Sequence, residues 1–404
     1  MSPDWRARLD AMVDHLLDAG DLTSAPWREA FSAVPRHLFV PTVLVLDGGG
    51  STVLSATDPA QRDIWLDLVY SDESLITQHR EHPTMTTTGD QPLLISTSSS
   101  TMPSLMARML EVLDVHDGHR VLEIGTGTGY NAALMCQRLG ADHVVSIDID
   151  PELVAAARTH LAELGHHPVL IAGDGTAGAA AHGRYDRIIA TAAVADIPPA
   201  WIEQLAPGGK ILANLRGDLA GATLCLLSKD PDDDVVTGAV LPLGGHFMWL
   251  RPELTSPLRA PEPAWVRSSR TAAHTKTPLD PAGLADDHDF RFLLQLHLRG
   301  ARGLRRGQVR DPRTHDTRAG HTIETLDGSY AEVIAEPEHD GHHLVLQSGP
   351  RRLWDSVETA HRLWHHLGRP HPGQFAVVAS PTAQYIHYDP DDTNNWYRWP
   401  LPLV

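Results

Sequence analysis

The sequence has little cysteine, no long apolar run and no excess of positive charge. Its 2 cysteines, Cys136 and Cys225, both fall inside apolar patterns, so we expect buried free thiols and no disulfide framework. This usage fits a reducing compartment and predicts a cytoplasmic protein. No stretch approaches the roughly 20 apolar residues that a membrane helix needs, and the polar amino-terminal segment has no signal-peptide core.

The charge balance argues against two kinds of partner, nucleic acid and acidic membranes. The formal net charge is −18 over 404 residues. Non-specific binding to nucleic acid or to an acidic membrane depends on basic surface, so we expect neither. A hydrophobic content of 42% is enough for two domains and a sizeable core. No internal repeat is present, and the sequence leaves the oligomeric state open.

The strongest local pattern is Val121–Tyr130, where a buried-strand run leads through three glycines at alternate positions into a helical pattern. Glycine lets the backbone approach a ligand closely, and a strand, turn and helix of this kind form the nucleotide-binding corner of an open α/β sheet. One acid, Glu123, precedes the turn. A second, Asp148, ends the next strand at the spacing expected for an acid that binds ribose hydroxyls.

The glycine spacing separates two classes of cofactor. Gly125, Gly127 and Gly129 lie closer together than the glycines of the dinucleotide fingerprint. At the end of the third strand, Asp174 supplies a carboxylate where an adenine amino group would lie. This combination favours S-adenosylmethionine over NAD. The candidate cofactor-binding residues are Glu123, Gly125, Thr126, Gly127, Gly129, Tyr130, Asp148, Ile149, Gly173, Asp174 and Gly175.

The order of the elements predicts the fold class. Strands and helices alternate after the turn, which predicts a doubly wound, seven-stranded α/β sheet within a domain over residues 1–250. Residues 42–93 have no clean periodicity and are interpreted as an insertion. Six prolines over 251–283 predict a linker. Mixed helix and strand patterns over 284–404 predict a smaller α+β domain, with peptide recognition as its expected role.

Six hydroxyl residues occupy Ser96–Thr101, just before Pro103 and a helical pattern. Such a run can act as a redundant helix N-cap. It can equally hold a substrate, because hydroxyl groups orient a polar acceptor. The residues alone leave both interpretations open.

Several motifs occur in the order found in the protein-L-isoaspartate O-methyltransferase family and resemble it. They are Val34–Pro41, Met106–Leu110, Val121–Tyr130, Asp150–Val154, Gly173–Gly175, Tyr185–Ala193, Ile197–Pro199 and Pro207–Gly209. The resemblance covers about residues 30–250. It implies a Rossmann-like methyltransferase sheet and S-adenosylmethionine as methyl donor, with S-adenosylhomocysteine as product. It also implies a peptide or protein substrate that bears aspartate or isoaspartate.

The chain departs from the family pattern at the substrate loop, which normally reads Thr-Ile-Ser, any residue, Pro. With Pro103 as anchor, the family's serine falls on Thr101, beside Ser98, Ser99 and Ser100. The resemblance therefore implies a catalytic role for these four hydroxyl groups.

The serine-rich run, the insertion and the added domain are similar to a divergent branch of this family. That branch is associated with gene clusters for ribosomally made, modified peptides (RiPPs) such as lanthipeptides and graspetides. It methylates an aspartate, and the ester collapses to a succinimide (aspartimide) that can hydrolyse to isoaspartate. The leading hypothesis is accordingly a carboxyl O-methyltransferase acting on aspartate in such a peptide.

Two alternatives come from different classes of protein. One is a protein-L-isoaspartate repair methyltransferase. The other is a non-catalytic peptide-binding protein that kept the fold. His361 and His365 have helical i, i+4 spacing, but no acid or cysteine nearby completes a zinc ligand set, so we expect no metal.

Overall fold

A computed structural model describes residues 4–47, 50–86, 92–219, 222–251, 272–389 and 397–402. The helices are Asp4–Asp18 (α1), Ala25–Ala33 (α2), Arg62–Val69 (α3), Pro103–Leu113 (α4), Tyr130–Leu139 (α5), Pro151–Glu163 (α6), Pro199–Gln204 (α7), Pro281–Asp286 (α8), His288–His297 (α9) and Leu353–His366 (α10). The strands are Thr42–Asp47 (β1), Gly50–Ser55 (β2), Leu75–Thr86 (β3), Pro92–Ser100 (β4), Val121–Ile124 (β5), Val144–Asp148 (β6), Val169–Ala172 (β7), Tyr185–Val194 (β8), Leu205–Leu215 (β9), Thr223–Lys229 (β10), Val236–Val240 (β11), Ala273–Thr277 (β12), Ala301–Arg310 (β13), Thr317–Thr325 (β14), Tyr330–Ile334 (β15), His343–Ser348 (β16), Ala376–Ala379 (β17), Gln384–Tyr388 (β18) and Tyr397–Pro400 (β19).

The predicted α/β sheet forms the centre of the molecule. Its strand order is β7-β6-β5-β8-β9-β10-β11-β17-β18-β19. The pairs from β7 to β9 are parallel, and those from β9 onwards are antiparallel. In chain order β5 is the first of the parallel strands, and in the sheet it lies between β6 and β8. Ligands of open α/β sheets bind at the carboxyl ends of strands at such a switch point.

Local sequence explains where the helices begin. Proline occupies the first turn of α4 and α6, where its missing N–H costs no hydrogen bond. Asp150 also caps α6, because its Oδ1 accepts a hydrogen bond from the Glu152 N–H at 2.9 Å. The buried run of β5 and the buried face of α5 follow the apolar pattern of the sequence.

The sheet is larger than the seven strands predicted. β17 pairs with β11, and β18 and β19 continue the sheet beyond it. These strands lie more than a hundred residues further along the chain, and local periodicity carries no information about such pairing. The remaining carboxy-terminal strands form an antiparallel sheet in the order β12-β16-β15-β14-β13.

The insertion at 42–93 is mostly regular structure rather than loop. It contains the β1–β2 hairpin, helix α3, strand β3 and the start of β4. The hydroxyl run is therefore a strand up to Ser100, not an N-cap segment. Met102 precedes α4 without a side-chain cap, and the carboxylate of Asp72 accepts a hydrogen bond from the Ser104 N–H at 2.8 Å.

The division into two domains stays a prediction. Residues 252–271 of the predicted linker lie outside the described residues, whereas β12 and α8 occupy part of the rest. One continuous apolar core contains side chains of β5 and β8 together with Phe290, Trp354 and Ile386 from the carboxy-terminal part. The two parts are thus packed against each other through buried apolar surface.

Candidate active site

The glycine turn follows β5 at the switch point of the sheet. Its glycines have φ values of +99° at Gly125, +51° at Gly127 and +88° at Gly129, which L side chains rarely adopt. A Cβ at Gly125 would also lie 2.7 Å from Thr191 Oγ1. That hydroxyl donates to the carbonyl oxygens of Ile124 and Gly125 at 3.1 and 2.8 Å, so it fixes the turn against β8.

Asp148 ends β6 and lies beside the turn. Its Oδ2 accepts a hydrogen bond from the Gly127 N–H at 2.8 Å, and its Oδ1 accepts one from the Asp150 N–H at 3.0 Å. Burial raises the pKa of the Asp148 carboxyl, and the two N–H groups oppose this increase. The carboxylate is therefore held in one orientation at the predicted ribose position.

Glu123 lies behind the turn and is fully buried. Its carboxyl oxygens accept hydrogen bonds from Asn131 Nδ2 at 2.7 Å and from Ser146 Oγ at 2.5 Å. The Ser146 hydroxyl is in turn 2.6 Å from Thr126 Oγ1. Burial raises the pKa of Glu123 to about 7, although both donors lower it. This geometry makes Glu123 a support for the turn, and its direct contact with a cofactor stays a prediction.

Asp174 follows β7, and its hydrogen bonds differ from those of Asp148. The Asp174 carboxylate accepts hydrogen bonds from the Thr176 N–H at 2.9 Å and the Thr176 hydroxyl at 2.6 Å. It thus caps a short turn, as aspartates in turns often do. Gly175 lies in the cavity wall, where a Cβ would be 2.7 Å from Ile124 Cγ2. The predicted cofactor contacts of Gly173 and Asp174 stay predictions.

The hydroxyl strand, which is β4 together with the next residue, Thr101, presents two kinds of side chain. Ser98 and Ser100 are buried, and their oxygens accept hydrogen bonds from Thr77 Oγ1 at 3.0 Å and from Arg36 Nε at 3.3 Å. Ser99 and Thr101 are half-buried, and the structure gives their hydroxyl groups no hydrogen bond within the described residues. Of the four predicted catalytic hydroxyls, these two are accordingly the ones left available to a ligand.

The glycine turn and the hydroxyl strand both line one cavity of about 540 Å³. Its size is typical of small-molecule sites. A Cβ at Gly127 would lie 3.9 Å from both Ser98 Oγ and the Ser99 carbonyl oxygen, so the two walls face each other closely. The predicted residues in its wall are Ser98, Ser99, Ser100, Thr101, Glu123, Gly125, Thr126, Gly127, Tyr130, Asp148, Ile149 and Gly175. Gly129, Gly173 and Asp174 are absent from this wall; a Cβ at Gly129 would meet Ala157.

This wall fits an adenosyl cofactor. Gly127 and Asp148 both line the cavity, and Asp148 offers a carboxylate oxygen there for ribose hydroxyls. The polar groups that would meet the cofactor are therefore of the predicted kinds.

Sequence reasoning missed one side of the cavity. The segment 247–251 lines it, and backbone hydrogen bonds join this segment to Ala193 at the end of β8. Arg216, at the end of β9, lines the same side. The local signal was an aromatic and basic cluster, Phe247–Arg251, just before the proline-rich stretch that was interpreted as a domain boundary.

The insertion also contributes to the site. Arg80 Nη2 and Gln78 Nε2, both on β3, donate to Asp150 Oδ2 at 3.0 and 3.2 Å. Asp150 in turn donates its N–H to Asp148. The insertion is therefore connected directly to the predicted ribose acid.

Other predicted features lie away from the cavity. Cys136 and Cys225 are buried and free, as expected, and burial raises the pKa of each thiol to about 12. The Nε2 atoms of His361 and His365 are 3.2 Å apart, and within the described ranges no third His, Cys, Asp or Glu joins them. Among the helices that the structure describes, none combines the length and apolar character that a bilayer crossing requires.

Comparison with known proteins identifies the family. The family model described as "Protein-L-isoaspartate(D-aspartate) O-methyltransferase (PCMT)" matches residues 74–241. The chain is 32% identical to the protein-L-isoaspartate O-methyltransferase of Methanopyrus kandleri over 235 residues, which are 57% of this chain and 86% of that protein. Protein-L-isoaspartate O-methyltransferase 2 of Archaeoglobus fulgidus is 34% identical over 57% of this chain and 88% of its own length.

A solved structure of a protein-L-isoaspartate O-methyltransferase shares the fold. It is 21% identical, with a TM-score of 0.51 over 94% of this chain and 99% of that one. The two sequence relatives, each matched over more than two thirds of its own length, establish the family. The chain belongs to the protein-L-isoaspartate O-methyltransferase family, and it is a protein carboxyl O-methyltransferase that uses S-adenosylmethionine.

Proposed function

We propose that the enzyme methylates the free α-carboxylate of isoaspartyl residues in peptides or proteins. One observation carries the proposal: the hydroxyl strand and the glycine turn line the same cavity. An acceptor carboxylate held by the strand would therefore meet a methyl group held at the turn. The names of the relatives support isoaspartate as the acceptor.

The proposed reaction requires little chemical participation from the side chains. S-adenosylmethionine supplies a methyl group on a sulfonium sulfur. A carboxylate oxygen forms a bond to the methyl carbon while the carbon–sulfur bond breaks and its electron pair stays on sulfur. The carboxylate is ionised at neutral pH, so no general base has to remove a proton. Thr101 and Ser99 would orient the acceptor by donating hydrogen bonds, and rate comes mainly from alignment.

Aspartate in a modified peptide is the second candidate acceptor. The observation that favours it is Thr101, which replaces the serine expected from the family pattern in the wall of the cavity. A threonine keeps the hydroxyl but adds a methyl group that changes the shape of the acceptor site. The carboxy-terminal unit does not favour this candidate by itself, because the similar solved structure covers 94% of this chain. A cytoplasmic site of action is part of either proposal.

Three acceptor peptides separate the candidates. We would offer methyl-labelled S-adenosylmethionine with an isoaspartyl peptide, its linear aspartyl isomer and a macrocyclic aspartyl peptide, and measure labelled ester by mass spectrometry. We expect label on the isoaspartyl peptide and none on the linear isomer. Label on the macrocycle alone would overturn the first candidate and support the second.

The role of the strand is tested at Thr101. Thr101→Val keeps the shape but removes the hydroxyl, and we expect kcat/KM to fall roughly tenfold to a hundredfold, as for the loss of one hydrogen bond to a charged group. Thr101→Ser keeps the hydroxyl and serves as the matched control, with a loss of less than about threefold. Equal losses in the two variants would argue that packing, not hydrogen bonding, explains the effect.

A further inference from the structure

Arg216 is a cation in the cavity wall for which the methyl-transfer step has no use. It follows the last residue of β9, and its N–H bonds to the Val194 carbonyl at the end of β8. β6, which ends in Asp148, lies three strands away from β9 in the sheet. Arg216 is thus on the side of the cavity away from the predicted ribose position.

Two contacts hold the guanidinium in place. Its Nη1 donates to the Phe247 carbonyl at 2.8 Å, and its Cζ lies 5.4 Å from the centroid of the Trp249 ring. A stacked and hydrogen-bonded arginine loses little freedom when it binds a planar anion. The side chain is therefore fixed before any ligand arrives.

One edge of this guanidinium is unsatisfied. Arg216 Nε is buried and has no hydrogen-bond partner among the described residues. A buried donor without a partner costs free energy, which an incoming acceptor recovers. Burial also lowers the pKa of Arg216, and the charge of the Asp218 carboxylate opposes this fall.

The carboxylate nearest to Arg216 already has an ion-pair partner. Asp218 forms an ion pair with Arg302, with 3.4 Å between Oδ2 and Nε. The other arginine in the wall, Arg251, also has a buried donor, Nη1, without a partner among the described residues, but Asp148 and Asp150 act on it and oppose the fall in its pKa that burial causes. The wall near Arg216 thus has a positive charge that a ligand can neutralise.

We infer that Arg216 binds a second carboxylate of the substrate, on a residue next to the methyl acceptor. This inference rests on the proposed function, because it takes the substrate to be a peptide. The reacting carboxylate is the less suitable partner, since pairing with a guanidinium would lower its nucleophilicity. The enzyme accordingly prefers peptides with an acidic residue beside the acceptor, despite its own net negative charge.

Equilibrium binding tests the inference without turnover. Two isoaspartyl peptides, with Glu or with Gln on both sides of the acceptor, are titrated by calorimetry into enzyme saturated with S-adenosylhomocysteine. We expect the wild type to bind the Glu peptide about tenfold more tightly, as for a charge-assisted hydrogen bond. Arg216→Gln should abolish this preference, and Arg216→Lys should keep part of it.

Arg251→Gln is the matched control, because it removes an arginine from the same wall and should leave the Glu preference intact. An equal preference in wild type and Arg216→Gln, no preference in the wild type, or binding of neither peptide would overturn the inference. A variant that loses affinity for S-adenosylhomocysteine but keeps the Glu preference would assign Arg216 to the cofactor's carboxylate instead. Preference for Glu without methyl transfer to either peptide would refute the isoaspartyl acceptor while leaving the anion subsite in place.

Discussion

At the scale of single residues, Glu123 has the most unusual environment. Burial raises the pKa of its carboxyl from 4.5 to about 7. Between these two pH values the carboxyl is therefore protonated in the folded protein and ionised in the unfolded chain. Stability from this group is therefore full below pH 4.5 and is lost as pH rises towards 7. The loss reaches about 3 kcal/mol at most, at about 1.4 kcal/mol per pH unit.

Glu123→Gln should remove this pH dependence. Glutamine stays neutral and still offers an oxygen to Asn131 Nδ2, which donates to Glu123 at 2.7 Å. We expect the variant's stability relative to wild type to increase by about 2–3 kcal/mol between pH 5 and pH 8. Urea unfolding of both proteins without cofactor measures this, and a pH-independent difference between them would contradict it.

At the scale of elements, one arginine anchors the hydroxyl strand. The guanidinium of Arg36 is fully buried, and desolvation lowers its pKa to about 10. It donates to five backbone carbonyl groups at or just after the ends of α3 and β4, namely those of Val69, Ser71, Glu73, Ser100 and Thr101, at 2.9–3.3 Å. The position of Thr101 thus depends on a residue of the Val34–Pro41 motif.

Arg36→Lys tests this anchoring. Lysine has three donors against five, so at least two carbonyl groups would lose their partner, and we expect the free energy of unfolding to fall by about 2–4 kcal/mol. We also expect kcat/KM to fall while affinity for S-adenosylhomocysteine changes little, because the glycine turn is not attached to Arg36. Arg8→Lys, in a partly exposed ion pair with Asp67 at 2.7 Å, is the control and should cost less than about 1 kcal/mol.

The same element marks the limit of sequence reasoning. The parallel strands and the glycine turn could be predicted, because buried apolar runs and glycine spacing are local signals. β4 was missed, since its serines have no apolar pattern and its strand form comes from pairing with β3. Phe247–Arg251 was missed because only the pairing of that segment with Ala193 brings it to the cavity, and Arg216 was missed because its place depends on the pairing of β9 with β8.

At the scale of the whole molecule, the catalytic sheet includes the end of the chain. Besides the β11–β17 pairing, the Gln384 side chain bonds to both backbone groups of Ile197, accepting from its N–H at 2.9 Å and donating to its carbonyl at 2.6 Å. Ile197 follows β8, whose end lines the cavity. The two parts should accordingly unfold together.

Gln384→Ala measures this connection. Loss of both hydrogen bonds should lower the free energy of unfolding by about 1–3 kcal/mol and leave a single transition, with far-ultraviolet and near-ultraviolet circular dichroism coinciding. Gln137→Ala, at an exposed helical position, is the control and should change stability by less than about 0.5 kcal/mol. Two separated transitions in the wild type would show that the parts unfold independently.

The pairing of β11 with β17 has a consequence for biosynthesis. A ribosome releases residues in order, so β11 emerges well before β17. Until β17 is made, the backbone N–H and C=O groups along that edge of β11 have no strand to pair with. Bare edges pair readily with other chains. A nascent chain that stalls between these strands therefore carries an aggregation-prone sheet rather than a smaller enzyme, and protection of that edge falls to the chaperones that meet the chain during translation.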